Sequence, residues 1–195
     1  MTKLNNKDLL LLLLYVPGHT GGVCEPIHGR TRLMKMVFLF EKELYSKFRY
    51  DQVIDQNDLP DFEPHHYGPF SKEVFDDLEF LINLGFVETS NSNQETLESE
   101  AKEYSWWKDD AGIFEDLYED SLLEEYKEES FALTSLGKGF VEDNLLKELS
   151  ENQLNALEIF KSNCTKVELG VLLKYVYTKY GDYITKSKIK EKVLF

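Results

Sequence analysis

The chain has 195 residues, of which 42% are hydrophobic and 13% aromatic, and its formal net charge is -14. This composition is typical of a globular protein, and the length is sufficient to bury a core without disulfides or metal ions. The negative charge argues against attraction of the whole surface to nucleic acid or to anionic lipid.

Two features bear on the location of the protein. The apolar run at residues 9–16 is much shorter than the roughly 20 residues of a membrane span, and it lacks the flanks of a signal peptide. Cys24 and Cys164 lie far apart in sequence, which favours free thiols in a reducing compartment. We therefore expect a cytoplasmic protein without membrane association.

The charge is unevenly distributed along the chain. Residues 91–129 carry a net charge of -11, whereas residues 160–195 carry +5. Blocks of like charge often act as interaction segments. The acidic middle and the basic tail are therefore candidate interaction segments.

The first part of the chain predicts two helices. Asn5 or Asn6 can cap a helix at residues 7–16, which Pro17 stops. After a glycine-rich loop, apolar side chains recur at spacings of four, three and four, and they predict a second helix over residues 31–45.

The middle of the chain predicts a third helix followed by a strand. Residues 61–68 read as an extended piece before a turn at Gly68-Pro69, and Ser71 is placed to cap the helix. Gly85 suits a left-handed helix stop, after which Phe86 begins the strand. The predicted buried stripe consists of Val74, Leu78, Leu81 and Ile82. The predicted exposed acids are Glu73, Asp76, Asp77 and Glu79.

The last third predicts a returning strand at residues 131–133 and further helices. One helix begins near Thr134 or Ser135, and two capping-box patterns, Ser150 with Gln153 and Thr165 with Glu168, mark two more starts. Residues 169–180 show the most regular apolar stripe of the chain, and residues 187–194 predict a short lysine-rich helix.

Three helices followed by a hairpin are the order of a winged-helix domain. We predict a mainly α (α+β) winged-helix domain over residues 1–145, with an acidic insertion in the wing at residues 91–129. A helical C-terminal extension over residues 146–195 is expected to pack on that domain. If the stripe at residues 169–180 pairs with its copy, the protein is a homodimer.

Four stretches, "GRTRLMKMVFLFEKEL", "HHYGPFSKEVFDDLEFLINLGFVE", "FALTSLGKGF" and "LLKYVYTKYGDY", resemble the YwgA-like family of prokaryotic winged-helix proteins. More distantly, residues 29–35 together with Tyr67-Gly68-Pro69 resemble the Panacea antitoxin domain. The chain departs from the family pattern at Met34, where Gln is usual, and at Gly181, where Pro is common. The resemblance implies a regulatory or interaction protein and supplies no catalytic residues.

The exposed side chains of the third helix determine whether it can enter a nucleic-acid groove. A groove-reading helix presents Arg, Lys, Asn or Gln, but the acids of this helix repel phosphates. If nucleic acid is bound, the candidate contacts are the basic residues Arg30, Arg32, Lys35, Lys72, Lys186, Lys188, Lys190 and Lys192. Alternatively, Arg30 and Arg32 tether the helix start to carboxylates, and the lysines serve solubility.

The acidic segment contains aromatic and apolar residues, most of them spaced as on one helix face. The candidate partner-binding residues are Trp106, Trp107, Phe114, Tyr118, Leu122 and Tyr126. Packing within the segment itself is the alternative for these side chains.

The histidines provide little evidence for a catalytic or metal site. Cys24 and His28 lack further ligands for zinc, and His65 and His66, as adjacent strand residues, are expected on opposite faces. No nucleophile elbow, phosphate-binding loop or dinucleotide fingerprint is present. We predict no enzyme activity, no metal and no cofactor.

The predicted function is that of a non-enzymatic prokaryotic regulatory protein acting through nucleic acid, a protein partner, or both. The alternative is a protein-binding module, antitoxin-like or DNA-mimicking, that works through its acidic segment.

Overall fold

The computed structural model describes residues 3–91 and 129–194 and shows a mainly helical protein with small antiparallel sheets, an α+β architecture. The elements up to residue 91 are α1 (Asn6–Tyr15), β1 (Ile27–His28), α2 (Arg30–Leu39), β2 (Glu63–His65), β3 (Gly68–Phe70), α3 (Lys72–Asn83) and β4 (Val87–Asn91). Those from residue 129 are β5 (Glu129–Leu133), α4 (Ser135–Phe140), α5 (Glu151–Lys166), α6 (Leu169–Lys179) and α7 (Lys190–Leu194). The predicted α+β class is confirmed.

Helix α1 is buried on all sides. The Asn5 side chain accepts hydrogen bonds from the amides of Lys7 and Asp8, and the Asp8 carboxylate accepts one from the Asn5 amide. This capping box fixes the start of the helix. The leucines at residues 9–14 are at most 1% exposed, as expected of a helix that is apolar all round. The predicted buried first helix is confirmed.

None of the helices in the described ranges combines the length and the apolar character needed to cross a membrane.

Helix α2 continues into a π-helical turn at Phe40–Leu44, so the helical run covers residues 30–44, close to the predicted 31–45. All its residues from Arg32 to Leu39 are buried. Such complete burial differs from the single apolar stripe predicted, because α2 has neighbours on several sides: β1, β3, α5 and α6. Its polar residues are therefore buried as well.

The three-stranded sheet has the order β1-β5-β4 and is antiparallel throughout. Ile27 of β1 pairs with Phe131 of β5, and Val87 of β4 pairs with Leu133 of β5. Sequence analysis places only a loop at β1, because two residues are too few to show the alternation of a strand. The predicted strand at residues 131–133 is confirmed as part of β5, and the one predicted from Phe86 is confirmed as β4, which begins one residue later at Val87.

Strands β2 and β3 form a second, two-stranded hairpin with its turn at His66-Tyr67. The predicted turn at Gly68-Pro69 is wrong, since both residues lie in β3. Gly68 nevertheless requires glycine, because its φ is +82° and a Cβ atom there would lie 2.8 Å from the ring of Tyr177. The hairpin thereby packs closely on α6.

Helix α3 has the predicted apolar stripe, with Val74, Leu78 and Leu81 buried, and Gly85 ends it at a φ of +75°. Ser71 precedes the helix, but its hydroxyl makes no capping hydrogen bond. Ser71 is thus the N-cap residue, as predicted, whereas the side-chain hydrogen bond expected of a cap is absent.

The C-terminal helices follow the predicted order with two differences. The Ser150–Gln153 capping box starts α5 as predicted. The second box is wrong: Thr165 lies within α5, where its hydroxyl donates to the Lys161 carbonyl, and α6 begins directly after Glu168. The lysine-rich helix α7 begins at Lys190 rather than residue 187.

The apolar stripe of α6 is used inside the chain. Leu172, Leu173, Val176 and Tyr177 are all buried and belong to the same hydrophobic core as α1 and α2. The homodimer predicted from this stripe is therefore not supported, because pairing with a copy would require these side chains to leave the core.

We expect Gly137→Ala to destabilise the protein by about 1–3 kcal/mol, because overpacking has costs of this order. A Cβ atom at Gly137 would lie 2.1 Å from the backbone oxygen of Phe86. Gly139, in the same helix α4, has no atom within 4 Å of such a Cβ, so Gly139→Ala should be neutral or stabilising by about 0.5–1 kcal/mol. Urea unfolding measures both variants. Equal stabilities of the two would contradict the close packing of α4 on the α3–β4 turn.

Candidate functional site

The outer face of α3 is acidic and partly apolar. Glu73, Asp76 and Glu79 are exposed, as predicted, and between them Phe80 is 47% exposed. The single lysine of the helix, Lys72, lies 2.8 Å from the Asp76 carboxylate, which neutralises its charge. This face therefore carries net negative charge, and its apolar side chain Phe80 has the Lys7 ammonium 5.4 Å from its ring centroid.

Asp77 has a different role from the other acids of α3. Its carboxylate accepts a hydrogen bond from the Asn6 side chain at 2.7 Å and pairs with Lys7 at 2.7 Å. It is half-buried and joins α3 to α1. The prediction that all four acids point into solvent holds for the other three.

An apolar groove lies beyond the C-terminal end of α3. The rings of Phe86 and Phe140 stack with centroids 5.1 Å apart, and with Leu136 they line a groove of about 330 Å³. Thr134 fixes this arrangement, because its hydroxyl donates to the Gly85 carbonyl at 2.6 Å. The groove thus adjoins the turn that ends α3.

Two large apolar side chains of this region are exposed. Leu84, in the turn, is 50% exposed, and Leu136, on α4, is 59% exposed. Exposed apolar side chains in a group, rimmed by polar residues, are typical of protein-binding surfaces. We call the exposed side chains of α3 together with Leu84, Phe86, Leu136 and Phe140 the α3 face.

Arg30 lies in a polar cleft of about 230 Å³ between α3 and the β4–β5 hairpin. Its guanidinium pairs with Glu129 at 2.5 Å and with Glu79 at 3.7 Å. The same group lies 5.7 Å from the ring centroids of Phe75 and Phe131. Tethering to carboxylates, the alternative given for Arg30 from sequence, is what the structure shows.

Arg32 and Lys35 lie in the interior, which corrects their assignment as phosphate contacts. Arg32 Nη1 donates to the carbonyls of Cys164 and Val167 at 2.6 and 2.8 Å, where the C-terminal end of α5 attracts positive charge. Lys35 is 2% exposed and donates to the Pro69 carbonyl at 2.7 Å. Its burial lowers the pKa to about 7. Neither side chain reaches the surface to meet a phosphate.

Lys161 is a third buried cation, and sequence reasoning missed it. Its ammonium donates to the carbonyls of Leu14 and Glu25 at 3.0 and 2.7 Å, and burial lowers its pKa to about 8. The signal was present in the sequence, because Lys161 follows Leu157 by four residues and precedes Cys164 by three. A lysine at a position of the buried stripe indicates a buried ammonium.

The tail lysines lie on the surface. Lys186, Lys188, Lys190 and Lys192 are all exposed. Among the described residues, no carboxylate lies within 4.0 Å of the ammonium groups of Lys186, Lys188 and Lys190. We call these four lysines the lysine edge. They form the part of the predicted phosphate-contact set whose positions suit that role.

The candidate partner-binding residues Trp106, Trp107, Phe114, Tyr118, Leu122 and Tyr126 lie outside the described residues.

In comparisons with protein-family models, curated proteins and solved structures, none matches this chain. The YwgA-like resemblance therefore remains a prediction based on the motifs alone.

We expect the unfolding free energy to rise by roughly 2 kcal/mol between about pH 6 and 8.5 because of Lys35 alone. In the folded protein this ammonium loses its proton near pH 7, whereas in the unfolded chain it keeps it until about 10.5. The unfolded state then holds more protons, so stability increases with pH in this window.

Denaturant unfolding at several pH values measures this effect. Lys35→Met should lose most of the rise, and Lys174→Met, a change at an exposed lysine of α6, should retain it. An unchanged pH profile in Lys35→Met would show that this side chain is not buried as a cation.

Proposed function

We propose that this chain is a non-enzymatic regulatory protein of winged-helix type that binds a protein partner through the α3 face. The order α1, β1, α2, α3, β4, β5, with β1 and β4 on either side of β5, supports the winged-helix assignment. The hairpin β2–β3 between α2 and α3 is an addition to that layout. Free thiols at Cys24 and Cys164 support a reducing, cytoplasmic location.

The observation that carries this proposal is the chemistry of the outer face of α3. In a winged-helix protein that reads DNA, the corresponding helix enters the major groove close to phosphates. Here three exposed carboxylates would face those phosphates, and Lys72 is already paired. Phosphate attraction supplies most non-specific affinity, so this helix is unsuited to groove entry.

A protein partner fits the same surface better. The carboxylates of α3 attract basic side chains, and Phe80 and Leu84 provide apolar contacts of the kind that dominate binding energy. The groove beside Phe86 extends the apolar area. The expected partner therefore presents an apolar patch flanked by lysines or arginines.

The acidic segment supports the alternative of an antitoxin-like or DNA-mimicking module. Its charge of -11 over residues 91–129 would attract a basic protein in the same way. Since this segment connects the paired ends of β4 and β5, replacing residues 92–128 with a two-residue Asn-Gly turn separates the two possibilities without touching α3.

A second candidate function is contact with a nucleic-acid backbone through the lysine edge. The observation that favours it is the exposure of the four lysines on one short segment. This contact would use a surface different from α3.

Photo-cross-linking in cells of the native host tests the α3 proposal. We expect a photoreactive amino acid at position 80 or 84 to give one discrete cross-linked protein with basic character. The same amino acid in place of Ile159 or Val171, both 55% exposed on α5 and α6, is the matched control and should give none.

Charge reversal completes the test. Asp76→Lys with Glu79→Lys should reduce the cross-link by about tenfold, as expected for loss of charge pairs of about 1.4 kcal/mol in total. A cross-link that survives charge reversal, or that appears equally at the control positions, would contradict binding through the α3 face.

A further inference from the structure

The turn of the β2–β3 hairpin brings two histidines together. His65 ends β2 and His66 follows in the turn, and their ring centroids are 4.7 Å apart. The expectation that the two side chains point to opposite faces is wrong, because His66 lies in the turn and not in the strand. Two imidazole rings therefore share one corner of the protein.

The C-terminal segment is hydrogen-bonded to this corner. The amide of Lys188 donates to the His66 carbonyl at 3.0 Å, and the hydroxyls of Ser187 and Tyr177 are hydrogen-bonded at 2.9 Å. Because Lys188 is bonded to the turn through its backbone, its ammonium remains exposed. The lysine edge thus begins directly beside the two imidazoles.

Among the groups that act electrostatically on His65, basic groups outnumber acidic ones. Burial lowers the pKa of His65, and the adjacent imidazole, Lys35 and Lys186 lower it further. Glu63 is the carboxylate that acts on His65 in the opposite direction. In a chain with a net charge of -14, such a concentration of basic groups marks a place where an anion is favoured.

His66 adds an observation independent of charge. Its Nδ1 atom is buried and has no hydrogen-bond partner among the described residues. Buried polar atoms without a partner are uncommon, and each is normally completed by solvent or by a bound group. The hairpin turn therefore has hydrogen-bonding capacity that the described part of the chain does not use.

We propose that the turn at His65 and His66 and the lysine edge form a binding site for the phosphates of a nucleic-acid strand. Lysine ammonium groups act as point charges for phosphate oxygens, and imidazole N–H groups are suitable hydrogen-bond donors. Lys190 and Lys192, on different faces of α7, add exposed charges to the same segment, which suits a ligand with several phosphates better than one isolated ion. This inference rests on the second candidate function and adds the two histidines to its site.

Fluorescence anisotropy with the full-length protein and a labelled single-stranded oligonucleotide of about 15 nucleotides tests the site. The measurements are made at about 50 and 200 mM salt, because phosphate contacts weaken steeply with salt. We expect Lys186→Gln with Lys188→Gln to weaken binding about tenfold and to reduce the salt dependence by roughly one to two ions. His66→Gln should weaken it about threefold, with circular dichroism confirming that each variant is folded.

Lys166→Gln with Lys174→Gln is the matched control. It removes the same charge from exposed positions on α5 and α6 and should change binding by less than about twofold. Equal weakening by both double variants would show that net charge alone governs binding, which overturns both the proposed site and the second candidate function. Weakening by the Lys186 and Lys188 changes together with unchanged binding of His66→Gln would overturn the site at the histidines and leave the second candidate function standing.

Two further outcomes are decisive. Absence of oligonucleotide binding at low salt would overturn both this site and the second candidate function, without bearing on the α3 face. Competition by inorganic pyrophosphate at the same concentration of phosphate groups would identify a small-anion site and overturn the assignment to a nucleic-acid strand.

Discussion

Three positive side chains in the interior hold the helices together, and they do so through backbone carbonyls. Arg32 joins α2 to the end of α5, Lys161 joins α5 to the end of α1, and Lys35 joins α2 to β3. A buried cation without hydrogen bonds is severely destabilising, so these contacts must form whenever the three side chains are buried in their charged form. The arrangement of α1, α2 and α5 around one another depends on them.

The burial of these cations determines which charges are left on the surface. With Arg32 and Lys35 buried and Arg30 paired to Glu129, the start of α2 presents little uncompensated positive charge. The exposed acids of α3 therefore dominate one side, and the exposed lysines after residue 185 dominate the segment beside the β2–β3 hairpin. A single chain thus carries an acidic surface with exposed apolar side chains and, elsewhere, a basic edge.

Most of the helices can be predicted from local sequence patterns. The leucines of α1, the stripe of α3 and the Ser150–Gln153 box are all readable within a few residues, because helix faces and caps depend on near neighbours in sequence. Strand β1 could not be predicted, since two residues form a strand only when β5 is placed beside them.

The candidate site was harder to predict, because burial is a property of the assembled fold. Lys35 looks like an exposed basic residue in sequence, yet elements on several sides of α2 enclose it. The histidine pair was misread for a related reason, since the position of the hairpin turn decides whether His66 belongs to a strand. By contrast, helix periodicity correctly predicts that most acids of α3 are exposed. Asp77 is the exception, because its carboxylate accepts a hydrogen bond from Asn6 of α1.

The register of the β4–β5 hairpin has a consequence for how this protein can diverge. Asn91 and Glu129 are paired across the two strands, so the chain leaves the sheet and re-enters it at the same point. The entropy of closing such a loop grows only slowly with its length. Sequence between these two residues can therefore be shortened to a turn, lengthened or exchanged at small thermodynamic cost, while the core packing of the described residues stays the same.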